Sequence, residues 1–475
     1  MKTTPFFRIV CIMFVGVCAL VQTDTIRTTF AQDHKDTPAF SVDFTQKVGP
    51  VKQVNGVNCW IPFHSGSSPE FQQKAEACRF STVRLHDVPL TTHGMRLVDV
   101  HLIFGNPDAD PADPRNYYFE QTDDYIKSIL DAGAVPIYRL GTSIEHSANK
   151  YFARNPKDAA KYAEICAAIV RHYNAGWADG HDWNLPYWEI WNEPNLIPQM
   201  WDDKNWDSYC KFYVVVAKRL RQEFPNIKIG GPALTHADCN MIKQLADLCK
   251  QEGAPLDFVS WHCYPQTPEQ LVDPPFEVRK TLDEAGFPNA ELHLNEWHYL
   301  PCGWKGVQGS VEDKVYWVVN APEGLNGYVS AAFNTFVMTR WQDGPLTMAN
   351  FYSYSGTNWG LVDPYGQYRT PYYTMAMFGE LASQTPIRVK TKDDDNVALL
   401  AGIDESGKTK RLLVSIFQRD ETNPIEIKLA GVPESGEVSV DVVDFDHSFL
   451  ETKVQYQNSV LRLDSKDSGV YFIRF

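Results

Sequence analysis

Leu185-Pro186-Tyr187-Trp188-Glu189-Ile190-Trp191-Asn192-Glu193-Pro194-Asn195 reads as a buried strand that stops abruptly in a cluster of polar groups. Tyr187 to Trp191 are aromatic and branched residues that favour a strand, and Pro194 lacks the backbone donor a central strand needs. Asn192 and Glu193 therefore fall at a carboxyl-terminal strand end. In barrels of alternating strands and helices that rim carries the chemistry, and a carboxylate held there beside indole rings is a candidate acid or base with a raised pKa. Taken alone, the run serves equally well as an N-cap Asn and a solvated Glu opening the next helix.

A second run breaks the tie. Ala290-Glu291-Leu292-His293-Leu294-Asn295-Glu296-Trp297 alternates apolar and polar residues and again ends in Asn-Glu-Trp. Retaining glycoside hydrolysis needs two carboxyl groups, one to protonate the leaving oxygen and one to attack the anomeric carbon, roughly 5–5.5 Å apart. Glu193 and Glu296 match those two roles. On Asn192-Glu193-Pro194 and the later strand-end Glu296, the chain resembles the clan A glycoside hydrolases, and within them glycoside hydrolase family 39, the β-xylosidase and α-L-iduronidase family.

Working outward, residues 36–383 yield eight strand-like runs. They are Val54 to Trp60, Thr82 to His86, Val135 to Arg139, Tyr187 to Trp191, Ile227 to Gly231, Phe258 to His262, Leu292 to Asn295 and Thr347 to Tyr352. Helical spacing lies between them at Ala159 to Tyr173, Trp206 to Phe224 and Glu312 to Arg340. Eight such units predict an α/β fold, a (β/α)8 TIM barrel. From 384 to 475 the texture changes to short alternating runs at Arg411 to Gln418, Ile425 to Leu429, Val438 to Val443, Val460 to Leu463 and Val470 to Phe475. These predict a carboxyl-terminal antiparallel β-sandwich, which the resembled family also carries. Phe40 to Phe44, within 36–52, alternates too and is a candidate extra strand of that domain.

The resemblance extends to further positions. Arg84 and His86 share one side of the second strand, where the clan uses an Arg to hydrogen-bond the nucleophile and a His to contact the sugar. A structural pair between Arg84 and Asp87 is the bland alternative. His262 and Tyr264 match a His-x-Tyr pattern after the sixth strand, with Tyr264 expected to donate to the nucleophile and lower its pKa. A capping His and a buried Tyr account for the same pattern. Asn192 resembles the clan residue that binds the 2-hydroxyl. Trp359 is a candidate sugar platform or plain loop packing, and His64 is a weaker candidate by position. Asp110 to Asn116 and Tyr138 to Gly141 also look family-like.

Lys2 and Arg8 followed by the apolar run Ile9 to Val21 read as a secretory signal, residues 1–31, with cleavage after Ala31 and an uncleaved anchor as the alternative. The expected location is secreted or periplasmic, with no membrane span in the mature protein. The 475 residues are 44% hydrophobic and 22% charged, so a packed core is available. Against 44 Lys and Arg stand 59 Asp and Glu, a net charge of −15, which disfavours nucleic acid as a partner. Eight cysteines lie beyond the signal at spacings that show no disulfide framework, and no CxxC or HExxH pattern marks a metal site. Most of these cysteines read as small buried residues, with room for a bridge or two.

The resemblance thus implies a retaining exo-glycosidase that takes a carbohydrate substrate and needs no cofactor or metal. An endo-glycanase of the same clan and a non-catalytic carbohydrate-binding barrel are the alternatives. A metal-dependent hydrolase lacks a clustered ligand set. Lys305, after the nucleophile strand, is either the partner of a uronate substrate or an ordinary surface lysine.

Overall fold

The computed structural model describes residues 40–60, 69–87, 89–90, 95–96, 98–145, 149–202, 204–355, 359–363, 366–420, 423–465 and 467–475. The expected signal segment 1–31 and His64 lie outside them. The chain enters on β1 (Phe40–Pro50) and then builds β2 (Gly56–Asn58), β3 (Thr82–Leu85), a short pair β4 (Pro89–Leu90) and β5 (Met95–Arg96), and β6 (Val135–Leu140). It continues through β7 (Tyr187–Ile190), β8 (Lys228–Leu234), β9 (Phe258–Cys263), β10 (Glu291–Trp297) and β11 (Met348–Phe351). Strands β2, β3 and β6 to β11 close into an eight-stranded barrel, and every neighbouring pair runs parallel. These are the eight runs predicted from alternation.

Alternation sorts the two faces of the barrel wall. Val83, Leu85, Tyr138, Leu140, Trp188, Ile190, Leu292 and Leu294 join the core shared with the surrounding helices. The residues between them are polar and buried: Thr82, Arg84, Arg139, Glu189, His293 and Asn295. The lumen is therefore a polar layer in which each of these side chains holds at least one partner: Thr82 accepts from Asn350, Arg84 and Asn295 donate to Glu189, Arg139 pairs with Asp99 and His293 with Glu291.

Helices Ala159–Ala175 and Trp206–Glu223 end within two residues of their predicted limits. The run predicted as one helix over 312–340 is interrupted. A turn at Val311–Val315 passes into a π-helical turn at Tyr316–Asn320, and the helix restarts only at Tyr328–Arg340. Pro322, Gly324 and Gly327 occupy the gap, and none of them supports an uninterrupted helix.

After helix Thr370–Gln384 come β12 (Ile387–Lys392), β13 (Val397–Ile403), β14 (Lys410–Ile416) and β15 (Ile425–Ala430). Strands β16 (Gly436–Asp444), β17 (Leu450–Tyr456), β18 (Val460–Leu463) and β19 (Gly469–Arg474) complete the set. With β1 they form one mostly antiparallel nine-stranded sheet in the order β17-β16-β19-β14-β13-β12-β1-β15-β18. β1 is antiparallel to β12 and parallel to β15, the single parallel pair in this sheet. Phe44 of β1 meets Phe475, just past β19, with ring centroids 5.2 Å apart. Four strand spacings separate β1 from β19 in the sheet order, about 19 Å if the sheet were flat, so the sheet curls over its own core.

That curled sheet has two apolar faces. Leu399, Leu412, Val414, Tyr471 and Ile473 fill its own core. Leu400, Leu413, Val470 and Phe472, from the same strands, pack into the core of the barrel. Among the described residues all eight cysteines are free thiols, so the disulfide left open by the sequence is not made there.

Candidate active site

Glu193 and Glu296 reach the same space by local departures from regular strand geometry. Beyond β7, Trp191 and Glu193 adopt left-handed φ of 74° and 47°, uncommon for non-glycine residues and strained for a tryptophan. The Glu193 N–H is tied to Ala233 O at 2.9 Å, which holds the turned backbone against β8. Gly141 makes room for it, since a Cβ there would lie 2.9 Å from Trp191 Cα. Along β10, strict alternation would put Glu296 on the outward side with Leu292 and Leu294. The register against β9 instead shifts between Leu294 and Glu296. This bulge turns Asn295 and Glu296 both into the lumen.

Arg84 organises the floor of the site. Its Nε donates to Glu189 Oε2 at 2.6 Å, its Nη1 to Glu296 Oε1 at 2.7 Å and its Nη2 to Asn192 Oδ1 at 2.7 Å. The planar fork thus engages three acceptors in fixed directions, which a lysine cannot reproduce. Asp87 is not its partner, and the structural pairing considered from sequence is not formed. Glu189 also accepts from Asn295 Nδ2, and Asn58 Nδ2 donates to the Asn295 carbonyl at 2.8 Å. Because Arg84 can only donate, Asn192 presents Oδ1 to it and keeps its amide hydrogens for another acceptor.

Glu296 is 5% exposed and receives a second donor, the Tyr264 hydroxyl, on Oε2 at 2.9 Å. His86 Nε2 lies 3.5 Å from Oε1. His262 Nδ1 sits between the two acids, 2.8 Å from Glu193 Oε1 and 3.4 Å from Glu296 Oε2. An oxygen of each glutamate and the imidazole nitrogen all lie within 4.8 Å of one another.

The two acids have different surroundings. Glu193 has a 16% exposed side chain, and burial carries its carboxyl up to about 7, with Arg84 pulling down and Asp87 pushing up. Burial also pushes Glu296 above the ordinary carboxylate range, against the downward pull of His262 and Arg84. The lowering expected from Tyr264 is therefore outweighed by desolvation. His262 is pushed down to about 4 by burial and is neutral at pH 7.

Trp359 belongs to an aromatic cluster at this rim, with ring centroids 5.5 Å from Tyr264, 5.5 Å from His298 and 5.9 Å from Trp304. Lys305 is exposed on the short helix Gly303–Gln308. Asp110 to Asn116 form an exposed turn bonded within itself, through Arg115 N to Asp113 and Asn116 Nδ2 to Asp110 O. Sequence reasoning missed Asn58, Glu189, Asn295, Asp87 and Tyr352. The Tyr352 hydroxyl donates to Asp87 Oδ2 at 2.8 Å beside His86. Glu189 was legible in principle, as a lone acid between Trp188 and Ile190 in a strand too apolar to tolerate it unpaired.

Residues 61–296 match the model of glycosyl hydrolases family 39. The chain belongs to glycoside hydrolase family 39. This family 39 chain is 27% identical to a β-xylosidase of Geobacillus stearothermophilus over 234 residues, 43% of this chain and 45% of that protein. It spans less than half the length of the curated relatives it matches. Among solved structures, a glucosidase from Croceicoccus marinus superposes with a TM-score of 0.72 at 23% identity, covering 92% of this chain and 98% of that one. A monomeric β-xylosidase from Caulobacter crescentus CB15 gives 0.70 at 17% identity, over 92% and 98% of the two chains. These likenesses show the shared fold, a parallel eightfold barrel followed by a mostly antiparallel β domain. Among the described residues no helix is long and apolar enough to cross a membrane.

Proposed function

We propose that the protein is an exported, retaining exo-glycosidase that removes neutral, β-xyloside-like sugars. The observation that carries this reading is the pair Glu193 and Glu296, whose facing oxygens lie within 4.8 Å, which fits the roughly 5–5.5 Å separation of a retaining pair better than the wider one of an inverting enzyme. Glu193, titrating at about 7, holds a proton for the leaving oxygen at and below neutral pH. Glu296, braced by Arg84 and Tyr264, attacks the anomeric carbon and forms a glycosyl ester. The leaving alcohol departs with the proton of Glu193. In the second step the Glu193 carboxylate takes a proton from water, and the resulting oxygen nucleophile displaces Glu296. Asn192 offers its amide to the 2-hydroxyl, and Trp359 offers a face to the apolar side of the ring.

The preference for a neutral sugar rests on charge. Asp87, Glu193 and Glu296 crowd one site, Arg84 is fully engaged, and Lys305 stands on the surface. A uronate would enter against three carboxyl groups with no committed partner. The β-xylosidases among the relatives support xylosides in particular. Export rests on the apolar run Ile9 to Val21 and is checked by amino-terminal sequencing of the protein recovered outside the cytoplasm.

Aryl glycosides of both anomers, including a uronide, test the substrate reading on purified protein. Turnover of the β-xyloside with β-xylose appearing first in the proton NMR spectrum is expected. A preferred uronide would sink the sugar assignment, and first release of the opposite anomer would sink retention. Reduced xylo-oligosaccharides should lose single sugars from the non-reducing end, and early internal cleavage would make the protein an endo-glycanase.

A further inference from the structure

On the outer layer of the barrel, in the segment leading into β7, three further metal-ligating side chains converge. Asp123 lies in the first turn of helix Glu120–Asp131, His172 in the last turn of helix Ala159–Ala175, and His181 in the loop that follows. His172 Nε2 is 3.0 Å from Asp123 Oδ1, and His181 Nε2 is 3.4 Å from Asp123 Oδ2. One ligand atom from each residue falls within 4.8 Å of the other two.

The hydrogen-bond roles are what point to a cation. His172 Nδ1 faces the Trp177 carbonyl at 2.9 Å, and a carbonyl only accepts, so Nδ1 carries the hydrogen. In the neutral ring Nε2 is then a lone pair directed at a carboxylate oxygen, another acceptor. His181 Nε2 is buried and has no hydrogen-bond partner among the described residues, although it lies beside the same carboxylate. Two imidazole nitrogens and a carboxylate thus converge on one space, and a positive charge placed there would satisfy all three. An imidazole that gives Nδ1–H to a backbone carbonyl while aiming Nε2 outward is the usual posture of a metal ligand.

The ligands are also held in place before any ion arrives. The His172 ring stacks on Phe119 at 3.6 Å between centroids and the His181 ring on Trp183 at 3.8 Å, so stacking sets both planes without engaging either Nε2. The loop between them closes through His181 N–H to His172 O at 2.6 Å. It passes so close that a Cβ on Gly180 would lie 2.2 Å from that same oxygen.

We propose that Asp123, His172 and His181 bind a divalent ion of the zinc class. Two imidazoles and one carboxylate are a donor set that zinc accepts, and tetrahedral bonds of about 2.0–2.1 Å put ligand atoms about 3.3 Å apart. The two imidazole nitrogens face different oxygens of Asp123, at 3.0 and 3.4 Å, so the ion would either take both oxygens or draw the three side chains together around one. The Asp123 and His181 side chains are 18% and 31% exposed, which leaves the fourth position to water and gives the ion an entry path. The role is structural. The ion would pin helix Glu120–Asp131 to helix Ala159–Ala175 and to the entry of β7, the strand that carries Glu189 and leads to Glu193.

Chelator-treated full-length protein, dialysed against zinc and then counted by mass spectrometry, should hold one equivalent per chain. Cobalt(II) should give the strong visible bands of a tetrahedral site. Zinc should raise the melting temperature of the parent and should leave that of Asp123→Asn and of His181→Ala unmoved. Glu296→Gln should bind zinc as the parent does, which separates this cluster from Glu193, His262 and Glu296. Failure of the parent to bind overturns the proposal whatever the variants do. Binding that survives both Asp123→Asn and His181→Ala, or that vanishes in Glu296→Gln, overturns it as well.

Discussion

Glu193 owes its value of about 7 to burial, and the consequence is a pH profile with a predictable alkaline side. The acid form is lost as pH rises through about 7, so kcat/KM should fall there, and it should fall again in acid as Glu296 becomes protonated. Glu193→Gln should remove the alkaline limb. Stability carries the same sign. The folded state binds this proton more tightly than the unfolded chain, whose reference value is 4.5, so burying Glu193 destabilises the fold increasingly as pH rises from there through about 7. Glu193→Gln should exceed the parent by on the order of 2–3 kcal/mol at about pH 8, with no difference near pH 4, as read by thermal unfolding. Glu193→Ala should lose far more activity on alkyl than on dinitrophenyl glycosides, and azide should restore the latter by attacking the glycosyl-enzyme. A 2-fluoro glycoside with a good leaving group should leave its label on Glu296, since slowing both steps while assisting departure lets the intermediate accumulate. A label on Glu193 in the peptide map would mean the two roles are exchanged.

At the scale of elements, the site depends on one side chain from β3 that ties down three others. Arg84 binds Glu189 on β7, Glu296 on β10 and Asn192 past β7, with no exposure of its own. Arg84→Met would leave Glu189 buried without its main partner, a change that typically costs about 3–5 kcal/mol, and urea unfolding should register it. Arg84→Lys keeps the charge but loses the fork. We expect kcat to drop more than KM changes, because the residue directs Glu296 without reaching the substrate. β1 is the corresponding element in the second sheet. Val42 is 1% exposed and β1 lies between β12 and β15. Val42→Asp should unfold that sheet, seen as protein lost from the soluble fraction.

Over the whole molecule, barrel and curled sheet share a core, so neither surface is complete alone. Ser415 Oγ donates to Ala332 O at 2.8 Å, and the Phe417 ring meets Phe333 at 5.3 Å. Glu380, on helix Thr370–Gln384, accepts from Arg411 of β14 and Arg474 of β19 at 2.8 to 3.0 Å. Burial works against its charge, yet the two arginines win and hold the carboxyl below its ordinary value. A lowered folded value contributes stability above the unfolded value of 4.5 and loses it as pH falls through the folded one. Glu380→Gln should therefore destabilise by about 1–3 kcal/mol at pH 7 and by progressively less in acid, measured by urea unfolding across pH.

The eight barrel strands were legible because each alternates or runs apolar over the few residues a wall strand needs, and Asn-Glu at two strand ends marked the acids. β12, β13 and β17 were missed. Val397 to Ile403 is buried on both faces, between the sheet's own core and the barrel, and a strand covered on both sides loses the alternation that advertises a strand. Strict alternation continued along β10 would put Glu296 on the wrong side, since a bulge is a property of the pairing and not of the run. The sequence by itself determined which residues form the wall and which two carboxylates end it. Only the tertiary structure decided that Glu189, Asn295 and Arg84 meet, that burial lifts Glu296 as well as Glu193, and that Asp123 lies against His172 and His181. Each of those depends on the distance between chain segments far apart in sequence, which no local period encodes.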